Sequence, residues 1–191
     1  SSFVLIPFHL VTLTPLSAQT AQNYDQFFLE AMVQRQKGNH DAAFDLLRHC
    51  QDLNPEAPEV YYYLGQYYGA IKDSERSMAC VKKAAELDPD NVTYMETLAQ
   101  AYISQRDYAS AIPVIEGIYE RDKNQEEMLE MLFQLYQQVE DYDHAIGVLN
   151  QLELNDGKNE RLSMAKIALY NRLGKKKEAV AEMDDLARQY P

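Results

Sequence analysis

From residue 24 onward, apolar positions recur at helical spacing, and the helical pattern itself recurs at a longer period. Leu64, Tyr68 and Ile71 stand at i, i+4 and i+7, and Met78, Val81 and Ala85 at i, i+3 and i+7. Each set lines one face of an α-helix. The longer period shows as columns. Tyr68, Tyr102, Tyr136 and Tyr170 lie 34 residues apart with no insertion or deletion between them, and Ala43, Ser77, Ala111, Ala145 and Ala179 run beside them at the same interval. Leu47, Val81, Ile115, Leu149 and Met183 form an apolar column, and Leu64, Leu98 and Leu132 another. Pro55 and Pro89 close two units, whereas Lys123 and Gly157 occupy that place in the next two. A fixed period of this size is the signature of stacked helical hairpins. The predicted units are residues 24–57, 58–91, 92–125, 126–159 and 160–191. Each reads as two antiparallel helices, with a turn at Lys37-Gly38-Asn39 or its equivalents and a stop at Asn54-Pro55 or Asp88-Pro89.

The columns have steric reasons. Ala or Ser where two helices cross lets their backbones approach, and a large side chain there would overpack the crossing at a cost of about 1–3 kcal/mol. Tyrosine offers a large apolar body with a hydroxyl that reaches a polar group at the core edge. These columns resemble the tetratricopeptide repeat family. The second unit carries the resemblance best, through Tyr61, Leu64, Gly65, Tyr68, Ser77, Val81, Ala84 and Pro89. The third follows with Met95, Leu98, Ala99, Tyr102, Ala111 and Ile115, and the first more loosely with Phe27, Ala31, Gln34, Ala43, Leu47, Cys50 and Pro55. The fourth and fifth units place Phe133 and Ile167 where the family prefers Gly or Ala, which brings the close packing of those hairpins into question. The resemblance covers Tyr24 to Pro191 and implies an all-α fold, a right-handed superhelical solenoid of about five helix-turn-helix hairpins.

Residues 3–16 are apolar, with no acid or base, and Ser17-Ala18-Gln19 follows. Residues 1–22 therefore read as a signal-peptide-like segment with a small-residue cleavage site, or as an N-terminal extension packed on the first hairpin. A membrane anchor is the third reading, weakened by the shortness of the run and its prolines. The run ending in Ser-Ala-Gln resembles exported proteins of Bacteroidetes-type bacteria, which implies the periplasm, the cell envelope or secretion; a cytoplasmic protein is the alternative. At the other end Val180, Met183, Leu186 and Ala187 form an apolar face with no polar cap after it. The expectation is that the chain is the N-terminal part of a longer protein or buries this face by stacking end to end in a homo-oligomer.

The charge changes the functional picture. Lys and Arg number 18 against 30 Asp and Glu, a formal net charge of −12. This argues against nucleic acid and against an anionic membrane surface, both of which need a basic footprint. Cys50 and Cys80 occupy apolar helical positions and read as buried thiols, with a disulfide as the alternative. The four histidines are scattered over different units, no ligand spacing for a metal appears, and no Gly-rich phosphate loop or nucleophile elbow is present. Glu126-Glu127 and Asp184-Asp185 read as solvated pairs, and Lys175-Lys176-Lys177 as a solvated turn. No cofactor and no catalytic role are expected.

What remains is the concave groove that the resemblance implies, lined by the first helix of each unit. In this register Phe28, Met32 and Arg35 line it in unit one, Glu59, Tyr62 and Gln66 in unit two, and Glu96 and Gln100 in unit three. Glu127, Glu130 and Gln134 follow in unit four, and Arg161 and Arg172 in unit five. Family members that clamp a chaperone's terminal carboxylate do so with Lys, Asn and Arg, where this chain has Phe28, Met32, Tyr63, Thr93 and Thr97. The expected partner is instead a protein or peptide with a basic or neutral polar segment, held by charge-assisted hydrogen bonds. The expected function is a non-enzymatic interaction scaffold. The alternatives are an end-to-end assembly module and an accessory domain of a larger protein.

Overall fold

The computed structural model describes residues 16–189, with side chains from residue 23. Ten helices follow one another among the described residues: α1 (Leu16–Gln36), α2 (His40–Leu53), α3 (Pro58–Ala70), α4 (Ser74–Leu87), α5 (Val92–Ser104), α6 (Tyr108–Arg121), α7 (Glu126–Gln138), α8 (Tyr142–Asp156), α9 (Glu160–Arg172) and α10 (Lys176–Gln189). The all-α fold of helical hairpins expected from the period is therefore present. Helices α3, α5, α7 and α9 each begin 34 residues after the last, as do α2, α4, α6, α8 and α10. Of the apolar N-terminal segment, residues 16–22 belong to α1, and the rest lies outside the described residues. No helix among the described residues is long and apolar enough to cross a membrane.

Every hairpin turns by the same device. Gly38, Lys72, Arg106, Glu140 and Gly174 have φ between 58° and 79°. They too are 34 residues apart. At each, the next residue's N–H bonds back to a carbonyl five positions earlier, as in Asp73 N to Tyr68 O at 2.9 Å and Asp141 N to Tyr136 O at 2.8 Å. This is a Schellman closure, which satisfies carbonyls that the ending helix leaves free. In three of the five hairpins the residue after the turn then caps the second helix. Asp73, Asp107 and Asp141 accept from the backbone N–H of Arg76, Ser110 and His144 at 3.0–3.2 Å. One two-residue element thus stops one helix and starts the next.

The chain divides into two compact units, one up to Leu87 and one from Asp88. The first, with α1–α4, has a core of residues such as Ala31, Leu47, Cys50, Val60, Leu64 and Tyr68. The second, with α5–α10, has its own core around Ala111, Ile115, Leu132, Tyr136, Leu149 and Leu152. The small-residue column sits where predicted: Ala43, Ala111 and Ala145 are 0 % exposed. At Gly65 an added Cβ would meet Val81 Cγ2 at 3.0 Å, and Ser77 Oγ donates to the Gly65 carbonyl at 2.8 Å. Phe133 and Ile167 do not disrupt their hairpins. Ile167 is buried and Phe133 packs half-buried against the second core. Tyr136 bears out the reason given for its column, donating its hydroxyl to Glu116 Oε1 at 2.5 Å.

Unit five departs from the apolar pattern. Met183, in a column buried elsewhere, is 51 % exposed, and Val180 is also exposed. Inside the same hairpin three polar side chains are buried: Ser163, Lys166 and Glu182. Lys166 Nζ pairs with Glu153 at 2.8 Å and Glu182 at 3.0 Å, and Ser163 Oγ donates to Glu182 at 2.8 Å. Lys158 Nζ closes the network on Glu182 at 2.8 Å. Burial by itself would raise the Glu182 carboxyl, but the hydrogen bonds from Lys158, Ser163 and Lys166 outweigh it and hold it below the usual range.

Candidate functional site

The residues expected to line a groove fall into two sets, one in each compact unit. In the first, Phe28, Met32 and Arg35 stand on α1 and Tyr62 and Gln66 on α3. Arg35 Nη2 donates to Gln66 Oε1 at 3.0 Å, and its guanidinium lies 4.8 Å from the Tyr63 ring centre. Phe28 stacks on Tyr24 at 5.9 Å and meets Tyr63 at 6.1 Å, while Tyr62 lies 5.2 Å from Tyr63. Phe28 and Met32 are half-buried and pack against the first core, so much of their apolar surface is already used. Glu59 is engaged as well, accepting the Tyr24 hydroxyl at 2.5 Å.

In the second unit Glu96, Gln100, Glu127, Glu130, Gln134, Arg161 and Arg172 are all exposed. Glu96 on α5 and Glu127 and Glu130 on α7 share one cleft of about 600 Å³. Four residues not expected in the groove complete its wall: Asn124, Gln125, Glu126 and Met128. Gln100 and Gln134 stand outside that wall. Arg161 approaches Glu130 at 3.6 Å from α9, so one cation flanks the acidic cleft. Arg172 turns elsewhere, donating to the Tyr142 hydroxyl at 2.9 Å with its guanidinium 5.4 Å from that ring.

Glu126 corrects the reading of Glu126-Glu127 as a plain solvated pair. Glu127 is exposed, whereas Glu126 is half-buried at the start of α7. Its carboxyl is held above the usual range first by a hydrogen bond with Asp156, then by burial and the neighbouring charges of Asp156 and Glu130. Asp185 and Lys175 are likewise engaged, Asp185 with Arg188 at 2.5 Å and Lys175 with Asp143 at 2.5 Å. The two cysteines are free and buried; burial, then the charge of Glu59, pushes the Cys50 thiol up to about 11.

The buried network of unit five leaves a mark in the sequence columns. Lys166 stands in register with Leu64, Leu98 and Leu132, and Glu182 with Cys80, Val114 and Val148. A charge inside an otherwise apolar column, matched by an opposite charge on the facing helix, is the signal for such a pair.

Hairpins, turns and columns together make this a helical repeat of the tetratricopeptide type, a fold typical of protein-interaction scaffolds. The tetratricopeptide repeat family model matches residues 58–91, the unit richest in the motif. Among solved structures, MamA AMB-1 is similar over 86 % of this chain and 90 % of its own, with 18 % identity and a TM-score of 0.61. A tetratricopeptide repeat protein from Parabacteroides merdae ATCC 43184 is similar over 89 % of this chain and 68 % of its own, with 18 % identity and a TM-score of 0.60. A structure of Naa15/Naa10 bound to HypK-THB is similar over 88 % of this chain, which spans 27 % of that chain, with 16 % identity and a TM-score of 0.70. These likenesses concern the fold. No curated protein sequence matches the chain.

Proposed function

We propose that the protein is a non-enzymatic scaffold that binds a polypeptide partner, with the acidic cleft of residues 88–191 receiving a basic segment. The observation that carries this reading is the convergence of Glu96, Glu126, Glu127 and Glu130 on one cleft of about 600 Å³, with Asn124 and Gln125 in its wall. A Lys or Arg side chain entering it gains charge-assisted hydrogen bonds from carboxylates held on two helices, and the amides offer contacts to its backbone. Arg161 limits the negative field on one side, which favours a segment with spaced basic residues over a polybasic run. The test is the affinity of a lysine-containing peptide for the wild-type chain and for Glu96→Lys and Glu130→Lys. Both reversals should weaken binding about tenfold or more, and the wild-type affinity should fall with salt. Binding indifferent to both reversals sinks the cleft mechanism.

A second reading, end-to-end assembly, is favoured by α10. Val180 and Met183 are 53 % and 51 % exposed, whereas Ile146 and Leu149, in register on α8, are 6 % and 1 % exposed. A second copy covering this face with one of its helices would give Val180 and Met183 the environment their counterparts have. Export to the periplasm or cell envelope, as the N-terminal segment implies, would place either activity outside the cytoplasm.

A further inference from the structure

The first unit holds a cleft of different character. It measures about 540 Å³ and lies between the last turn of α1, the first turns of α2 and the last turns of α3. Phe44 and Tyr67 form its aromatic wall, their ring centres 5.9 Å apart and edge to face, and His40 extends that wall 6.0 Å from Tyr67. Ala70 and Ile71 carry the apolar surface to the mouth, where Ile71 is 67 % exposed. A concave, mostly apolar space of this size with a few polar groups at its rim is what a binding pocket needs.

The polar groups at the rim of α1 and α3 define what the pocket would accept. Arg35 is a donor only, and no described carboxylate stands within ion-pair distance of it. Its bond to Gln66 Oε1 occupies the acceptor end of that amide and leaves the NH2 end as a donor. Tyr67 adds a third donor. Its hydroxyl is buried and has no hydrogen-bond partner among the described residues. An unpaired buried hydroxyl is destabilising, and such an orphan in a native wall calls for a cause. The acceptor on the far side, Asp41, belongs to the first turn of α2, where a negative charge suits the helix N-terminus. Thus an apolar cavity is bordered by the donors of Arg35, Gln66 and Tyr67, by an Arg35 guanidinium that rests on the Tyr63 ring and Gln66 without a carboxylate partner, and by the single carboxylate of Asp41.

We propose that this cleft docks a polypeptide partner that inserts a large apolar side chain of the Phe or Leu kind, beside an Asp or Glu that pairs with Arg35. The apolar side chain fills the space walled by Phe44, Tyr67 and Ile71, and the neighbouring carboxylate supplies the ion partner that Arg35 lacks and an acceptor for the Gln66 amide NH2. An open mouth with Ile71 protruding suits a chain passing across it. The proposal is independent of the acidic cleft in residues 88–191, which is complementary to the opposite charge.

The experiment is a methyl-NMR titration of the full chain, with Ala and Ile methyls labelled, using the capped peptide Gly-Ser-Glu-Phe-Glu-Ser-Gly. Saturable shifts centred on Ala70 and Ile71 are expected. Replacing the peptide's Phe by Ala should weaken binding about tenfold or more, the equivalent of one buried aromatic side chain. Exchanging its Glu residues for Lys should weaken it on the wild-type chain and restore it on Arg35→Glu. Ile71→Glu and Arg35→Glu change exposed side chains, so the methyl spectrum away from the cleft reports that the fold persists. The proposal is overturned if no saturable shift appears, if Arg35→Glu leaves the charge preference unchanged, or if Glu96→Lys alters the affinity as much as Arg35→Glu does. Failure here leaves the lysine-peptide result for the second unit intact, so the two readings are tested separately.

Discussion

At the scale of single residues, three of the five hairpin turns hold a side chain in backbone geometry that favours glycine. Lys72, Arg106 and Glu140 hold the left-handed conformation that Gly38 and Gly174 hold at the equivalent places. A side chain in that region costs about 1–2 kcal/mol relative to glycine, partly offset by glycine's larger entropy loss on folding. Lys72→Gly, Arg106→Gly and Glu140→Gly should each stabilise the protein by about 0.5–1 kcal/mol, read as a higher urea midpoint at unchanged m-value. Gly38→Ala should do the reverse. The buried network of unit five makes the opposite kind of prediction. Lys166→Leu alone removes the cation between Glu153 and Glu182 and should cost about 3–5 kcal/mol. Lys166→Leu with Glu182→Val restores both apolar columns and should recover part of that loss, since Glu153 stays without its cation and Lys158 loses Glu182. A double variant no more stable than the single one would mean the network is held by more than its charge balance.

Helices are specified by columns that bury and by caps that end them. Ala111 is 0 % exposed where α6 crosses its partner, while Ala109, two residues earlier on the same helix, is exposed. Ala111→Leu should therefore overpack the hairpin by about 1–3 kcal/mol, and Ala109→Leu should change stability by less than about 0.5 kcal/mol. Chemical denaturation of both variants, followed by helical circular dichroism, checks the pair. Equal effects would contradict the assigned crossing. The same logic explains how Phe133 fits where Gly65 must stay small. A Cβ at Gly65 would lie only 3.0 Å from Val81 Cγ2, whereas Phe133 packs half-buried against the second core.

For the whole molecule, acidity sets the pH response. The carboxyls of Asp73 and Asp122 lie below their usual range, held first by backbone N–H donors from Arg76 and Asn124, and Glu182 lies below it for the reasons given above. A lowered folded-state pKa contributes stability that is fully present above the unfolded value, about 4, and is lost as pH falls through the folded one. Glu126, shifted upward, acts in reverse; its contribution is present below the unfolded value and lost as pH rises through the folded one. Three lowered carboxyls against one raised should give a net fall in thermal midpoint on acidification below about pH 4, with Asp73→Asn shrinking that fall. Assembly is the second property at this scale. Light scattering over a concentration series should detect association if the α10 face is an interface, and Met183→Glu should abolish it. A monomer at every concentration removes the end-to-end reading.

Much of this was legible in the chain because repetition averages out local ambiguity. The tyrosine and small-residue columns determined the hairpins, their crossings and their turns, since each position solves the same packing problem several times over. Sequence also determined that Glu96, Glu127 and Glu130 face the same way, because helical register carries direction. Only the tertiary structure decided that Glu126, half-buried, meets Asp156, that Phe28 and Met32 spend their surface on the first core, and that Phe44, Tyr67 and Ile71 bound a cleft. Each of those outcomes depends on the distance and tilt between helices remote in sequence, and a periodic pattern fixes which face a side chain takes without fixing what stands opposite it. Lys166 and Glu182 lie between the two cases. Their columns marked them as exceptions, but whether the charges would be paired and buried or turned to water was settled by the facing helix.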